Sequence, residues 1–440
     1  MKLAWIWIWM LGAPVAFAQA PLPLSFARAV EIATSPEGSA KVQLAEEALR
    51  QAQGRRAESR AALLPNLDAA FTDQDLTRNL AAQGINIAVP IPNFHFPTFV
   101  GPFTTIDARV SASQSVFDFS SIRRYQASQA GVSAAKSDIA GTAEQVAAQV
   151  ARAYLGALRA DADVETAQAN VTLSQAVLAQ AESQKRAGTG TGIEITRANV
   201  QLANDRQRLL VAGNARRSAH LQLLRAMGLR LDTELQLTDT LSYKPVDAVT
   251  LDQAKALAVR QRPDLQAQQD REANARISAG ATRMERLPSL TAFGDYGSSG
   301  TALTNALPTR TYGISLRVPV FDGGRRDARR AESASQYRAE RVRTNDLKEQ
   351  IELDVRLALD ALASAEDQVK VAREGLELAQ NELTQARRRY QAGVTNSLEV
   401  TDAQTRLERA RDNQTAALYA YNVARMDLAQ AMGQVRSMVL

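Results

Sequence analysis

The chain has 440 residues, carries 52 basic and 47 acidic side chains, and contains no cysteine. Without cysteine it can form no disulfide bond, perform no thiol chemistry and carry no lipid on an N-terminal cysteine. The formal net charge of +5 is spread over interleaved acids and bases. This mixture is typical of a solvated surface and gives no support to a nucleic-acid partner.

The first residues have the three parts of a cleaved secretory signal. Lys2 supplies the basic start, residues 3–15 are apolar, and the Ala-Phe-Ala triplet at 16–18 is an A-x-A cleavage site. No later stretch reaches the roughly 20 apolar residues that a membrane-spanning helix needs. We therefore assign residues 1–18 to a signal peptide and expect an exported protein without a lipid anchor.

A helix and then a pair of strands are expected next. Ser25 precedes an apolar-periodic segment as an N-cap would, and the helix should run to Leu64-Pro65, where proline ends it. Over residues 106–113 apolar and polar side chains alternate strictly, and residues 67–76 alternate less cleanly. A period of two with one apolar face predicts half-buried strands. The tip between them, residues 81–103, is rich in proline and phenylalanine and contains His95.

A long helix is predicted over residues 120–186, directly after the triplet Val116-Phe117-Asp118. At about 1.5 Å per residue it would be about 100 Å long. Residues spaced by seven, each with a small partner three positions on, form the a/d seam of a coiled coil. The seam consists of Val150, Ala157, Val164, Val171 and Leu178 with Ala153, Ala160, Ala167, Ser174 and Ala181.

A turn rich in glycine and threonine ends this helix, and a return helix is predicted over residues 194–227. Alanine at nearly every d position of the seam lets the two helix backbones approach closely. Residues 229–249 carry turn signals and no heptad, and we interpret them as a linker.

The second half of the chain repeats the first with an offset of 205 residues. Gly188 and Gly393, Glu194 and Glu399, and the Ala-Met-Gly triplets ending at Gly228 and Gly433 are related in this way. Such a repeat is much longer than a solenoid unit of roughly 20–50 residues. The sequence therefore predicts a first structural repeat at 19–228, a second at 250–433, and a short tail at 434–440.

Each element of the first half has its counterpart in the second. Thr250 is the N-cap of the first helix, which should end at Leu287-Pro288. Strands are expected at residues 290–296 and 311–320, with a short polar tip between them. The triplet Val-Phe-Asp recurs at 320–322. The second seam consists of Val355, Leu362, Val369, Leu376 and Leu383 with Ala358, Ala365, Ala372, Ala379 and Ala386.

Four strands cannot close a barrel, and open sheet edges are not tolerated in lipid. The smallest single-chain barrels have about eight strands, so several protomers must pool their strands, and three copies would supply twelve. The two alanine-rich seams are likewise expected to need neighbours on both sides. The predicted fold is mainly α with a small β part: a long antiparallel α-helical coiled-coil barrel plus a trimer-shared transmembrane β-barrel with four strands per protomer.

The order of these motifs, duplicated in register from about Leu24 to Gly433, resembles the TolC family of outer-membrane channel proteins. The resemblance implies a homotrimer in the Gram-negative outer membrane with a helical tunnel across the periplasm. It also implies a tunnel entrance at the turns around Gly188 and Gly393, which a periplasmic adaptor engages and which opens for an inner-membrane pump.

In the family, acidic and aromatic residues line this entrance. The positions that carry over are Glu194 in the first turn and Tyr390, Glu399 and Asp402 in the second. The alternative is that the acids are ordinary helix-start charges, which the helix dipole favours. Some members lock the closed state with a basic residue in the turn; residues 391–398 contain none. The candidate substitutes for this gate pairing are Lys185 and Arg186 of the first turn.

No catalytic, cofactor-binding or metal-binding set emerges from the sequence. The two histidines, His95 and His220, lie on distant elements, whereas a zinc site needs about four ligands. The Gly-Thr repeat at 188–192 lacks the Lys-Ser/Thr of a phosphate-binding loop and follows a helix instead of a strand. An enzyme is therefore not expected.

Two transport functions remain. The first is the exit duct of a tripartite efflux system for small molecules such as drugs and toxic compounds; the second is the outer-membrane channel of a type I protein secretion system. No residue separates them, because the adaptor and pump select the substrate, and a neighbouring pump gene would decide between them. A purely periplasmic coiled coil does not explain the alternating hairpins.

Overall fold

A computed structural model describes residues 22–85, 98–246 and 249–438. The predicted signal peptide and most of the first hairpin tip, including His95, lie outside these residues. The helices are α1 Phe26–Thr34, α2 Ala40–Ala61, α3 Phe119–Arg186, α4 Gly192–Met227, α5 Leu251–Gln261, α6 Pro263–Met284, α7 Arg325–Gln391 and α8 Ser397–Ala431. The strands are β1 Leu22–Leu24, β2 Asn66–Asn79, β3 Phe99–Phe117, β4 Leu235–Leu237, β5 Ser289–Gly300 and β6 Leu307–Arg317. Two helices, two strands and two long helices thus follow one another twice.

The chain forms two compact units, and each takes segments from both halves of the sequence. One consists of Met1–Glu46, Ile139–Pro263 and Lys348–Leu440, and the other of Glu47–Asp138 and Asp264–Leu347. The first unit contains the ends of the long helices with their turns, and the second contains the sheet. None of the helices in the described residues is both long and apolar enough to cross a membrane.

The sheet unit holds an antiparallel sheet in the order β2-β3-β5-β6, so the two predicted hairpins lie side by side. One face of the sheet is apolar and exposed, and Phe71, Val110 and Tyr312 project from it. On the other face Arg109 forms ion pairs with Asp107 and Asp295, at 2.6 and 3.0 Å. The alternation read from the sequence therefore separates an apolar face from a charged one.

The strand predicted to end at Val320 ends earlier, at Arg317. Val318 and Val320 continue the apolar alternation but lie outside the sheet. Pro319 stands between them, and proline has no N–H to donate to a neighbouring strand. The alternating sequence pattern therefore extends beyond the last residue of β6 that is hydrogen-bonded in the sheet.

The prediction of a single helix before each hairpin is wrong, because the structure has two in each half. α1 and α2 are separated by Ser35–Ser39, where a Cβ on Gly38 would come within 2.3 Å of the Ile32 carbonyl oxygen. α5 and α6 are separated at Arg262, whose backbone is extended because Pro263 follows it. The predicted N-caps are confirmed, since the Ser25 and Thr250 hydroxyls accept backbone N–H groups three residues on.

The segment predicted as a linker also forms part of the fold. Its strand β4 pairs in parallel with β1, so Leu22–Leu24 are fixed beside Leu235–Leu237. The Asp239 carboxylate then accepts the Phe26 N–H and the hydroxyl of buried Tyr154, both at 2.7 Å. This segment therefore secures the start of α1 to the middle of α3.

The long helices and their returns are confirmed within two residues of the predicted bounds. All twenty seam positions are buried or half-buried. The expectation that the seams need neighbouring copies is wrong, because the chain itself covers them. Ala365 and Val369 of α7, for example, pack against Ala417, Tyr421 and Ala424 of α8. A short alanine side chain allows this close approach within one hairpin.

Candidate functional site

The two turns predicted to form the entrance have the same backbone geometry. Gly188 and Gly393 are in the left-handed region, with φ of 74° and 72°. In each turn the glycine N–H donates to the carbonyl three residues earlier, at 3.1 Å, and the next N–H donates to the carbonyl five residues earlier. This is the Schellman arrangement that ends a helix, and it favours glycine because a Cβ is strained at positive φ.

In the first turn, Glu194 serves the start of α4. Its carboxylate accepts the backbone N–H of Thr191, the N-cap residue, at 2.9 Å. A glutamate at the third helical position that closes back on the N-cap is half of a capping box. Glu194 thus caps the start of α4, and its place at the entrance stays a prediction.

In the second turn, Glu399 occupies the same third position of α8 but has other partners. The Thr395 hydroxyl donates to its carboxylate, and Arg389 forms an ion pair with it at 3.4 Å. The N-cap here is Asn396, whose side chain accepts the Leu398 N–H. A basic residue therefore does reach this turn, although it precedes residues 391–398. The repeat shows why sequence reasoning missed it: the equivalent position in the first half is Gln184.

Tyr390 joins the two turns. Its side chain is 3% exposed and packs in a cluster with Val177 of α3, Ala198 of α4 and Val400 of α8. Burial raises the pKa of its hydroxyl, and the negative charge of Glu194 raises it further. The hydroxyl oxygen has no hydrogen-bond partner in the described part of the chain. A buried donor close to a carboxylate is thus available for a contact between the turns.

The remaining predicted residues, Lys185, Arg186 and Asp402, are exposed. Within the described residues no ion pair joins either base to Glu399 or Asp402, so this gate pairing stays a prediction for an assembled protein. Asp402 lies one helical turn beyond Glu399 on the same face of α8. Among the four residues carried over to the entrance, it has the most accessible charge.

Further along the hairpins, sequence reasoning missed a buried charged cluster. Asp205 of α4 is fully buried and accepts hydrogen bonds from Ser174 of α3 and from Gln201. Glu408 of α8 is nearly buried and pairs with Arg208 of α4. Burial and the charge of Asp205 raise the pKa of Glu408, and Arg208 opposes this shift. Asp205 follows Ala198 and Leu202 at seam spacing, and an acid at a seam position was the available signal.

This charged cluster borders a cavity of about 700 Å³ between α3, α4 and α8. Asp163 and Asp412 also line the cavity, and burial raises the pKa of both carboxyls. Arg159 lies there as well and is drawn toward Asp163 at 3.9 Å. The arrangement places charged side chains around a space between helices, and the described residues that line it include no nucleophile paired with a base.

Two helical hairpins and a sheet with one apolar face are the architecture expected of an outer-membrane channel. The chain belongs to the outer membrane efflux protein family, whose family model matches residues 35–229 and 255–434.

Relatives in this family are named for different cargo. The pyoverdine export outer membrane protein OpmQ of Pseudomonas putida is 26% identical over 398 residues, which cover 88% of this chain and 81% of that protein. The alkaline protease secretion protein AprF of Pseudomonas aeruginosa is 23% identical over 323 residues, covering 72% and 67%. The identities are similar, so they do not identify a substrate.

Solved structures confirm the predicted fold class. The outer membrane channel CmeC of Campylobacter jejuni superposes with a TM-score of 0.79 at 16% identity, over 93% of this chain and 85% of that one. VceC of Vibrio cholerae gives a TM-score of 0.76 at 17% identity, over 93% and 96%. At such low identity the likeness concerns the fold alone.

Proposed function

We propose that this protein is the outer-membrane exit duct of a tripartite efflux system. It passes small molecules, such as drugs and toxic compounds, from a periplasmic adaptor and an inner-membrane pump to the exterior. Membership of the efflux family and the relative named for pyoverdine export support this proposal. The relative named for protease secretion favours the second candidate, the channel of a type I protein secretion system.

The observation that carries the proposal is that the four-stranded sheet has an exposed apolar face and two unpaired edges among the described residues. Its apolar face is exposed, and its edge strands β2 and β6 each have one neighbour among the described residues. Lipid accepts an apolar face but not an open edge. Three copies would contribute twelve strands and leave no edge, which is why the proposed assembly is a homotrimer in the outer membrane.

The long helices also leave apolar surface for neighbouring copies. Leu357, Val371 and Leu378 of α7 are exposed and recur at multiples of seven residues. Val200 and Leu210 of α4 are exposed as well. These side chains lie outside the seams that the protomer covers itself. Contact between copies in a helical tunnel would bury them.

The assembly and the cargo are tested together in the native host. Purified in mild detergent, the protein should have three times the mass of the processed chain. Deletion of its gene should raise the intracellular level of a fluorescent efflux dye and leave the set of secreted proteins unchanged. A folded monomer contradicts the shared sheet. Normal dye efflux with a missing exported protein favours the secretion channel.

The proposed entrance is tested by removing its acids. In a trimer, Glu399 and Asp402 would place six carboxylates around one axis, where the field of a narrow opening concentrates cations. The double variant Glu399→Ala/Asp402→Ala should raise resting conductance in planar bilayers and weaken block by multivalent cations. Because Arg389 already neutralises Glu399, Asp402→Asn alone should cause most of the loss of block.

A matched control lies on the neighbouring helix. Glu374 and Glu377 of α7 are also exposed and three residues apart, so Glu374→Ala/Glu377→Ala should change neither property. Wild-type conductance and block in the entrance variant would mean that Glu399 and Asp402 act only at the start of α8.

A further inference from the structure

The four strands of the sheet meet four helix ends at one edge. Register pairs Asn66 with Ser113 and Ser289 with Arg317, so the start of β2, the end of β3, the start of β5 and the end of β6 lie together. α2 and α6 end five residues before the start of β2 and of β5. α3 begins two residues after the end of β3, and α7 begins eight residues after the end of β6. The residues around this edge therefore share one level along the strands.

This level is strongly basic. We define the basic collar as residues 55–65, 118–124, 283–290 and 317–330. It contains twelve arginines and five acids. Its excess of seven positive charges is larger than the net charge of +5 of the whole chain. All four segments belong to the sheet unit.

Most of the acids in the basic collar are already engaged. Glu285 binds two arginines, at 2.6 and 2.8 Å. Asp322 and Asp327 each pair with another arginine, and Asp118 accepts hydrogen bonds at the start of α3. Eight arginines are exposed and have no ion pair among the described residues: Arg55, Arg56, Arg60, Arg123, Arg283, Arg317, Arg325 and Arg330. Positive charge therefore remains available for an external anion.

Exposed apolar side chains lie in the same collar. Val320 is 93% exposed and Phe321 is 87% exposed, in the loop between β6 and α7. This loop is anchored, because the Asp322 carboxylate accepts the Arg326 N–H at 3.1 Å and pairs with the Arg326 guanidinium at 3.0 Å. Bulky apolar groups held outward next to arginines are characteristic of a surface that meets the headgroup region of a membrane.

The position of the collar identifies which anion it meets. On β6 the exposed side chains Tyr312, Ile314 and Leu316 form the apolar face, and Arg325, the first residue of α7, lies eight residues beyond the end of the strand. The apolar face thus ends at the edge of the sheet beyond which the exposed Val320 and Phe321 and then the arginines of α7 follow, and the four segments of the basic collar meet at this edge. A bilayer has such a boundary between its hydrocarbon core and its headgroups. A docked acidic protein would not require the arginines to lie at the end of the apolar face.

We propose that the basic collar binds anionic phospholipid headgroups of the periplasmic leaflet of the outer membrane, with Phe321 inserted among the acyl chains. The inference rests on the proposed function, since it needs the sheet to lie in that membrane. The attraction between an arginine collar and an anionic leaflet is electrostatic and falls off within a Debye length. Lipid composition would then set how firmly the sheet is held at its depth.

The test compares two double variants of the full-length protein reconstituted into mixed vesicles. Association of spin-labelled phosphatidylglycerol and phosphatidylcholine is measured by electron paramagnetic resonance. The wild type should prefer phosphatidylglycerol roughly threefold or more, and Arg325→Gln/Arg330→Gln should remove most of this preference. The matched control Arg338→Gln/Arg341→Gln changes two exposed arginines on the same helix, about 15–25 Å further from the sheet, and should keep it.

Each outcome decides the inference. Equal association of both lipids with the wild type, or an equal loss in the control variant, overturns it. Displacement of phosphatidylglycerol by soluble glycerophosphate at constant ionic strength would show a phosphate pocket instead of a lipid surface, and also overturns it. Conductance of the same vesicles separates the two proposals. Trimers that conduct but show no lipid preference refute only the proposal that the basic collar binds lipid. Absence of trimers refutes the proposed function as an exit duct.

Discussion

Helix α8 presents two opposite kinds of surface to the rest of its unit. Toward α7 it is apolar and tightly packed, and Ala417, Tyr421 and Ala424 meet the alanine seam. Toward α3 and α4 its middle is polar: Glu408 pairs with Arg208, and Arg411 donates to the Asn170 side chain at 3.0 Å, whereas Val400 and Met426 nearer its ends join apolar clusters. The cavity of about 700 Å³ lies on the polar side only.

The difference indicates which contact is permanent and which can separate. Apolar burial cannot be replaced by water without a loss of free energy, so α7 and α8 should behave as one hairpin. Hydrogen bonds and ion pairs exchange readily for water, and their net contribution is about 1 kcal/mol each. Separation of the helices along the polar middle of α8 should therefore cost less free energy than separation of α7 from α8.

The largest expected effect comes from breaking the apolar side. Ala379→Leu adds about three carbons to a buried seam position of α7, and overpacking costs about 1–3 kcal/mol. Thermal unfolding in detergent should show a lower midpoint, with Ala372→Leu behaving similarly. Gln368→Leu and Gln380→Leu, at exposed positions of the same helix, should be nearly neutral. Equal tolerance at all four positions would refute the seam.

A smaller effect is expected at the turn from which both surfaces of α8 start. Gly393→Ala places a Cβ at a φ of 72°, at a cost of about 1 kcal/mol. Gly375→Ala is the opposite control: it lies within α7 with nothing within 4 Å of an added Cβ, and should stabilise by roughly 0.5–1 kcal/mol. A stabilised Gly393→Ala protein in chemical denaturation would contradict the Schellman turn.

The smallest effect concerns the polar side and depends on pH. Because burial and Asp205 raise the pKa of Glu408 above its unfolded value, the folded state binds this proton more tightly. Wild-type stability should therefore increase as the pH falls through the raised pKa toward the unfolded value. Glu408→Gln should lack this increment. At neutral pH the substitution should change stability by less than about 1 kcal/mol, since Arg208 is largely exposed.

The quantity to measure is the difference between the unfolding midpoints of the wild type and of Glu408→Gln across a pH series. Asp163 and Asp412 titrate in both proteins, so their contribution cancels in this difference. A constant difference at all pH values would show that Glu408 is not the titrating group.

Much of the local structure was readable from particular residues. The heptads at 150–181 and 355–386 predicted the long helices and the buried side of each. The glycines at 188 and 393 predicted both turns, and Ser25 and Thr250 predicted two N-caps. These features depend on side-chain periodicity and on backbone preferences of single residues, which operate over a few residues of chain.

Only the tertiary structure decided which surfaces these elements cover. A seam of valine and alanine shows that a helix needs a partner but not which one, so the sequence assigned the seams to neighbouring copies, whereas the chain covers them with its own helices. The pairing of Arg389 with Glu399, of Arg208 with Glu408, and of β1 with β4 joins residues 10 to about 210 positions apart. Such contacts depend on how the whole chain packs. The residues next to a charged side chain in the sequence do not show whether that side chain will be exposed or buried against a distant partner.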